Sequence, residues 1–168
     1  ERDLEKQIRH SSNTDFLTGL YNRRCFYQYI HNNRGGRTVS LMYIDLDRFK
    51  EVNDTYGHKV GDAVLVHTAD VLRRLFRDDF VARLGGDEFL VVRLGKCSMD
   101  QMEQEAEAFL KEMRTAFLAA EQTVSLSASV GIAQSSDSMV DIDALLQRSD
   151  QALYQAKKAG RSRYCVYR

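Results

Sequence analysis

Acidic residues stand at two places where the sequence predicts the end of a strand. Asp45 and Asp47 close an apolar run, and Asp87 and Glu88 come directly after a Gly-Gly pair. A carboxylate is costly to bury without a partner, and two neighbouring carboxylates attract a hard cation such as Mg²⁺. If the first strand pairs beside the Gly-Gly turn, Asp45 and Asp87 approach each other and form such a site. The other interpretation is an ordinary turn rich in glycine and acidic residues.

Several cations stand near the ends of predicted elements, namely Lys50, Lys157, Lys158 and Arg161. Solvated surface positions are the default interpretation of these side chains. Beside a Mg²⁺ site they would instead bind phosphate groups as counter-charges.

Asn53 and Asp62 lie on either side of a polar stretch. A carboxylate can accept hydrogen bonds from N1–H and N2–H₂ of guanine, whereas adenine would present a lone pair to it at N1. The alternative for Asp62 is an acidic residue near a helix N-terminus, favoured by the helix dipole. Spacing alone favours this alternative.

Hydrophobic periodicity predicts the elements that must hold these residues. Ser98 followed by Gln101 predicts a capping box at the start of the third helix, and the Gly-Gly pair predicts a tight hairpin. Helices are predicted at 22–33, 60–76, 98–117 and 141–159, strands at 39–45, within 80–94, and at 123–133 and 163–167, and a polar loop at 50–57. This order predicts an α+β fold with a mostly antiparallel sheet and helices packed on it.

The chain of 168 residues is about one domain long. Lys and Arg number 24 and Asp and Glu number 24, and this zero net charge argues against a nucleic-acid-binding surface. No apolar run is long enough to cross a bilayer, so we expect no membrane contact by this domain itself. The three cysteines lack metal-ligand spacing and are expected to be free thiols in a reducing, cytoplasmic compartment.

The charged stretch at 1–12 contains only Leu4 and Ile8 as apolar residues, four positions apart. It is interpreted either as a solvated, frayed helix or as a linker helix that forms the tail of an upstream domain. The chain starts with Glu1 rather than Met, so we expect it to be part of a longer protein, which a membrane anchor could precede. The remaining residues, 13–168, are expected to form the catalytic domain.

Five sequence blocks together resemble the GGDEF family, the diguanylate cyclases. They occur in the family's order and span nearly the whole chain, which makes the resemblance highly specific. The blocks are DFLTGLYNRR at 15–24, DLDRFK at 45–50, NDTYGH at 53–58 with Gly61 and Asp62, RLGGDEF at 83–89, and SVGIA at 129–133 with ALYQAKKAGR at 152–161. The resemblance implies a palm-like, nucleotidyl-cyclase fold with a five-stranded sheet flanked by helices.

The family condenses two GTP molecules into cyclic di-GMP and releases two pyrophosphates. The resemblance implies that Asp45, Asp87 and the backbone carbonyl of Leu46 bind two Mg²⁺ ions, which Mn²⁺ can replace. Asp87 and Glu88 are then the catalytic acids, Glu88 handling a proton or supporting the metal. The implied nucleotide-binding residues are Asn53 and Asp62 for guanine, Lys157 and Arg161 for the terminal phosphates, and Arg48, Phe49, Lys50 and Gly86 beside them.

Because one domain holds one GTP, ring closure requires a homodimer whose two active sites face each other. The alternative function is a catalytically weak domain that binds GTP as a regulatory or interaction module. Such a domain would be expected to lose Asp45, a glycine of the signature, Asp87 or Glu88, and all are present. A third possibility, a product that contains adenine, is disfavoured by Asp62.

The sequence departs from the family at an inhibitory product site, which many members mark with R-x-x-D ending shortly before the Gly-Gly pair. Phe76 stands in place of the arginine, while Asp79 retains the acid. Arg77 is one position along and is expected to point elsewhere. We therefore predict weak or absent product inhibition through this site. A smaller departure is Ser162, where the family usually has asparagine.

Overall fold

The computed structural model describes residues 13–135 and 140–168. The predicted linker helix at 1–12 lies outside these residues. The five helices are α1 (Arg23–Asn33), α2 (Phe49–Tyr56), α3 (His58–Leu75), α4 (Met99–Arg114) and α5 (Ile142–Lys158) within the described chain. The strands there are β1 (Val39–Leu46), β2 (Phe80–Gly85), β3 (Glu88–Leu94), β4 (Phe117–Ala119), β5 (Gln122–Val124), β6 (Ala128–Gln134) and β7 (Tyr164–Val166).

A five-stranded sheet in the order β2-β3-β1-β6-β7 forms the centre of the fold. β1 pairs antiparallel with both β3 and β6, and β2 pairs antiparallel with β3. Only the β6–β7 pair in this sheet is parallel. The predicted α+β fold with a five-stranded, mostly antiparallel sheet is therefore confirmed.

Alternation along β1 divides the core between the two faces of the sheet. Ile44 belongs to the cluster that contains Leu72 of α3, whereas Tyr43 belongs to the cluster that contains Phe26 of α1 and Leu153 of α5. Helices thus cover both faces, and β1 is buried between them. The end of this central strand is where Asp45 is placed.

The predicted polar loop at 50–57 is wrong, because these residues form most of helix α2. Val52 is buried and Phe49 packs against the core, so a short apolar stripe stabilises the helix. The helix begins after Arg48, whose φ is 56°, and ends at Gly57, whose φ is 91°. Eight residues with two inward-facing apolar side chains give too little periodicity to be detected in the sequence.

The predicted helix end at Phe117 and the continuous strand at 123–133 are also wrong. Phe117 starts a hairpin formed by β4 and β5, and its ring stacks on His67 with 3.6 Å between the ring centroids. The turn consists of Ala120 and Glu121, with φ values of 46° and 72°. Two-residue hairpin turns of this shape normally use Asn-Gly or Asp-Gly, so the usual sequence signal is missing.

Two smaller predictions, the capping box at Ser98 and the free cysteines, are confirmed. The Ser98 hydroxyl accepts a hydrogen bond of 3.1 Å from the backbone N–H of Gln101 at the start of α4. The three cysteines are free thiols. None of the helices in the described residues is both long enough and apolar enough to pass through a bilayer.

Candidate active site

The structure places the carboxyls of Asp45 and Asp87 beside each other. Asp45 lies near the end of β1, opposite Glu88 in the β1–β3 register, and the backbone N–H of Leu46 donates to the carbonyl of Asp87 over 3.3 Å. Burial raises the pKa of Asp45 to about 6; the Lys157 ammonium opposes this increase, and contact with the Asp87 carboxyl adds to it. Acids that are 42 positions apart in the sequence therefore share one site.

This pair has the features expected of a cation site. Oδ1 of Asp45 is buried and has no hydrogen-bond partner, which is a costly arrangement unless a cation binds there. The described residues contain no group of three or more His, Cys, Asp or Glu side chains that could hold a metal ion. Asp45 and Asp87 supply carboxylate oxygens here, which are hard donors of the kind that suits Mg²⁺.

Lys157 of α5 reaches this site directly. Its ammonium bonds to Oδ2 of Asp45, and the two side chains are 35% and 13% exposed. The sequence suggested a contact with phosphate for Lys157 but did not predict this ion pair. The ammonium supplies a positive charge to a carboxylate that is otherwise buried without a counter-charge.

Glu88 accepts a hydrogen bond from the hydroxyl of Tyr43 on the neighbouring strand. Burial, together with this contact to Glu88, raises the pKa of Tyr43 far above its usual range. Tyr43 therefore remains a donor at physiological pH and orients the carboxylate of Glu88. The sequence identified Tyr43 only as a core residue of β1, so its hydrogen bond to Glu88 was not predicted.

An arginine holds the Gly-Gly turn that carries Asp87. Arg83 donates to the carbonyl of Gly86 over 2.9 Å and to the carboxylate of Asp15 over 3.0 Å. Burial acts to raise the pKa of Asp15, but hydrogen bonds from Thr18 and Arg83 outweigh burial and lower it. The start of the described chain and the turn are therefore joined through one guanidinium.

Two residues separate the end of β1 from the start of α2, which presents backbone N–H donors. The first N–H groups of a helix have no partner within the helix, and in α2 these include the N–H groups of Phe49 and Lys50. Arg48 precedes them in a left-handed conformation. Backbone donors at a helix N-terminus suit phosphate oxygens.

Asn53 and Asp62 lie at the contact between α2 and α3. A Cβ atom on Gly61 would lie 1.8 Å from Oδ1 of Asn53, so glycine is required at this position for the Asn53 side chain to fit. Asp62 is the next residue and is exposed. The Asn53 side chain therefore packs against the residue that precedes Asp62 in the sequence.

Asp47 does not join the acidic pair, although the sequence placed it next to Asp45. Its buried carboxylate accepts hydrogen bonds from the hydroxyls of Ser127 (2.5 Å) and Ser129 (2.6 Å) and from the backbone N–H of Ser162 (2.9 Å). These contacts join β1, β6 and the segment after α5. Asp47 is thus a structural acid.

A surface cavity has a volume of about 670 Å³. It is lined by Arg48, Arg114 and Arg161, by the acids Asp47 and Glu51, and by Ser162, but by neither acid of the pair. Its position beside the start of α2 and the end of α5 makes it suitable for anions rather than for the metal. Arg114 was not singled out from the sequence, because it looked like an ordinary cation at a helix C-terminus.

At the predicted inhibitory site, Asp79 already has a partner. Arg93 of β3 binds the Asp79 carboxylate with two hydrogen bonds of 2.9 and 2.6 Å and also pairs with Glu105 at 2.7 Å. The Asp79 side chain is 7% exposed. Phe76 is buried in the core. Phe76 and Asp79 still line a surface cavity, and Arg77, which was expected to point elsewhere, lines it too. The Asp79 carboxylate is nevertheless already bound by Arg93.

Comparison with known proteins identifies the family of this chain. The family model described as "Diguanylate cyclase, GGDEF domain" matches residues 12–163. The chain belongs to the GGDEF family. The crystal structure of the coiled coil and GGDEF domain of DgcB from Caulobacter crescentus, in complex with c-di-GMP, superposes with a TM-score of 0.89 at 28% identity, covering 98% of this chain and 91% of that one. This confirms the family and the palm-like fold.

Two curated relatives from Escherichia coli strain K12 align with almost all of this GGDEF domain. "Cyclic di-GMP phosphodiesterase PdeR" is 39% identical over 171 residues, covering 99% of this chain and 26% of the relative. "Diguanylate cyclase DosC" is 37% identical over 171 residues, covering 96% of this chain and 37% of the relative. The chain thus spans well under half the length of these proteins.

Proposed function

We propose that this GGDEF domain is a diguanylate cyclase that condenses two GTP molecules into cyclic di-GMP. The observation that carries the proposal is the pairing of the Asp45 and Asp87 carboxyls, with the Lys157 ammonium bonded to Asp45. Family membership and the relative named as a diguanylate cyclase support the same chemistry.

The proposed metal ligands are the carboxylates of Asp45 and Asp87 and the backbone carbonyl of Leu46, which would hold two Mg²⁺ ions or Mn²⁺ in their place. The unpartnered buried Oδ1 of Asp45 supports this assignment. When bound, the metal neutralises phosphate charge and acidifies the attacking hydroxyl.

The triphosphate would lie across the start of α2 and the end of α5. There the backbone N–H groups of α2 and nearby cations bind its oxygens, and the absence of a side chain on Gly86 lets the turn backbone lie against the nucleotide. The proposed phosphate-binding residues are Arg48, Phe49, Lys50, Lys157 and Arg161. Asn53 and Asp62 would bind the guanine where α2 meets α3.

In each half-reaction, the 3′-oxygen of one GTP forms a bond to the α-phosphorus of the other. The bond between the α-phosphorus and the bridging oxygen breaks, its electron pair leaves with pyrophosphate, and the 3′-hydroxyl loses its proton. Glu88, oriented by Tyr43, is the side chain that we propose to handle that proton. Because each domain would bind one GTP, both half-reactions require two domains with facing sites.

The test is incubation with GTP and Mg²⁺ followed by identification of the product by mass spectrometry. We expect cyclic di-GMP and pyrophosphate from the unaltered chain, and a rate at least about a hundredfold lower for Asp87→Ala. Asp70→Ala is the matched control, because Asp70 is an exposed acid on α3, and it should retain the rate.

A second candidate is a GTP-binding module with little catalytic activity. The similarity to PdeR favours this second candidate. The chain aligns with 26% of that protein, which is named as a phosphodiesterase and not as a cyclase. If the chain binds GTP but makes no product even when dimerised by a fused coiled coil, this second function replaces the first.

A further inference from the structure

The turn after α5 has an unusual backbone conformation. Gly160, Arg161 and Ser162 have φ values of 126°, 64° and 52°. Glycine adopts positive φ without penalty, but two successive residues with side chains do so at a cost in free energy. Such a conformation persists only where the surrounding structure imposes it.

Two side chains from other elements hold Ser162 in this turn. The Asp47 carboxylate accepts its backbone N–H over 2.9 Å. Arg114, the last residue of α4, donates to the Ser162 hydroxyl over 2.9 Å and to its carbonyl over 2.8 Å. Glu107 pairs with the remaining nitrogen of the same guanidinium over 2.9 Å. The backbone of the turn is thereby bound from two directions.

The turn places Arg161 at the edge of the 670 Å³ cavity, which Arg48 and Arg114 also line. Arg161 is exposed. Within the described residues its guanidinium has no hydrogen-bond or ion-pair partner, so the conformation of the turn determines where this charge lies.

We propose that Arg114 is a positioning residue for nucleotide binding: it holds Ser162 in the left-handed conformation, which directs Arg161 toward the terminal phosphates. This inference rests on the proposed function of Arg161. Asparagine adopts left-handed backbone more readily than serine, so the contact from Arg114 compensates for serine at position 162.

The test measures binding of a non-hydrolysable GTP analogue, with Mg²⁺, by calorimetry. Arg114→Ala should weaken binding about tenfold, because two charge-assisted hydrogen bonds to the turn are lost. Adding Ser162→Asn to this variant should restore most of the affinity, because asparagine favours the required φ. A purely structural role for Arg114 would not predict this rescue.

Three further variants separate the possible outcomes. Arg161→Ala must weaken binding; if it does not, there is no phosphate contact to position, and both the proposed role of Arg161 and this inference fail. Arg74→Ala removes a comparable exposed ion pair to α4 and should leave affinity unchanged. Arg114→Lys repeats the test with the charge retained and should also weaken binding.

If Arg161→Ala weakens binding while Arg114→Ala does not, the inference is overturned and the proposed function stands. Failure of Ser162→Asn to rescue Arg114→Ala also overturns it, because the backbone conformation would then not be the cause. Arg114 is 41% exposed and lies outside the core, so we expect all of these variants to fold, with melting temperatures close to that of the unaltered chain.

Discussion

Asp45 occupies a position that lowers the stability of the domain. Burial and the Asp87 carboxyl raise its pKa from an ordinary value of 3.8 to about 6, despite the ion pair with Lys157. The folded state therefore binds a proton more tightly than the unfolded state does. Stability falls as the pH rises from 3.8 through 6, and the loss is complete above that range.

We predict that Asp45→Asn raises the free energy of unfolding by up to about 3 kcal/mol at pH 8, because the variant avoids the cost of ionising this side chain. The gain should shrink as the pH is lowered and vanish near pH 4. Urea denaturation across this range, without added metal, provides the measurement. Asp70→Asn serves as an exposed control, and an equal gain in both variants would contradict the prediction.

The ion pair between Asp79 and Arg93 leads to a prediction about product inhibition. Because Arg93 already binds this carboxylate with two hydrogen bonds, we expect no inhibition by cyclic di-GMP through Asp79. Initial rates measured with increasing cyclic di-GMP should respond identically in the unaltered chain and in Asp79→Asn. The variant should unfold at a lower temperature, because Arg93 loses its partner. Inhibition that Asp79→Asn relieves would refute the prediction.

For single residues, the sequence predicted that Asp45 and Asp87 lie close together but did not predict the side chains that bind Asp45 and Asp47. The proximity of Asp45 to Asp87 could be expected, because strand pairing beside a hairpin brings them together. The bonds from Lys157 to Asp45 and from Ser127 to Asp47 join residues 112 and 80 positions apart. Local patterns carry no information about such long-range partners.

Among the elements, α5 depends on one glycine of β6. A Cβ atom on Gly131 would lie 2.1 Å from the carbonyl oxygen of Ser149 and 2.3 Å from the backbone nitrogen of Leu153. The helix can therefore lie against the strand only because this side chain is absent. Lys157 is on the same helix, so the packing also sets its distance from Asp45.

We predict that Gly131→Ala destabilises the chain by about 1–3 kcal/mol through overpacking and weakens binding of the GTP analogue as α5 moves outward. Gly36→Ala is the matched control, because a Cβ atom there meets nothing within 4 Å. Urea denaturation and calorimetry measure the two effects. Equal stability of the two variants would contradict the close packing of α5 on β6.

The long helices were predictable from the sequence, whereas α2, β4 and β5 were not. α3 and α5 have 18 and 17 residues, enough turns to show helical periodicity. α2 has eight residues, and β4 and β5 have three each, and their turn lacks glycine. These short elements are stabilised by tertiary contacts, such as the stacking of Phe117 on His67.

For the whole molecule, the proposed reaction requires two domains that face each other. We predict that the rate per chain rises with chain concentration, because the proposed active species is a dimer. Fusion to a dimerising coiled coil should remove this dependence and raise the rate at low concentration. Light scattering reports the oligomeric state in parallel, and a constant rate per chain from a pure monomer would exclude the requirement.

Arg83 connects Asp15, near the start of the described chain, to Gly86 in the Gly-Gly turn. Tyr21, in the same N-terminal stretch as Asp15, stacks on Phe80 of β2 and accepts the backbone N–H of Arg83 over 2.8 Å. The N-terminal stretch and the bend that carries Asp87 are therefore joined through the edge strand β2. Displacement of that stretch must either break these contacts or carry the bend along with it.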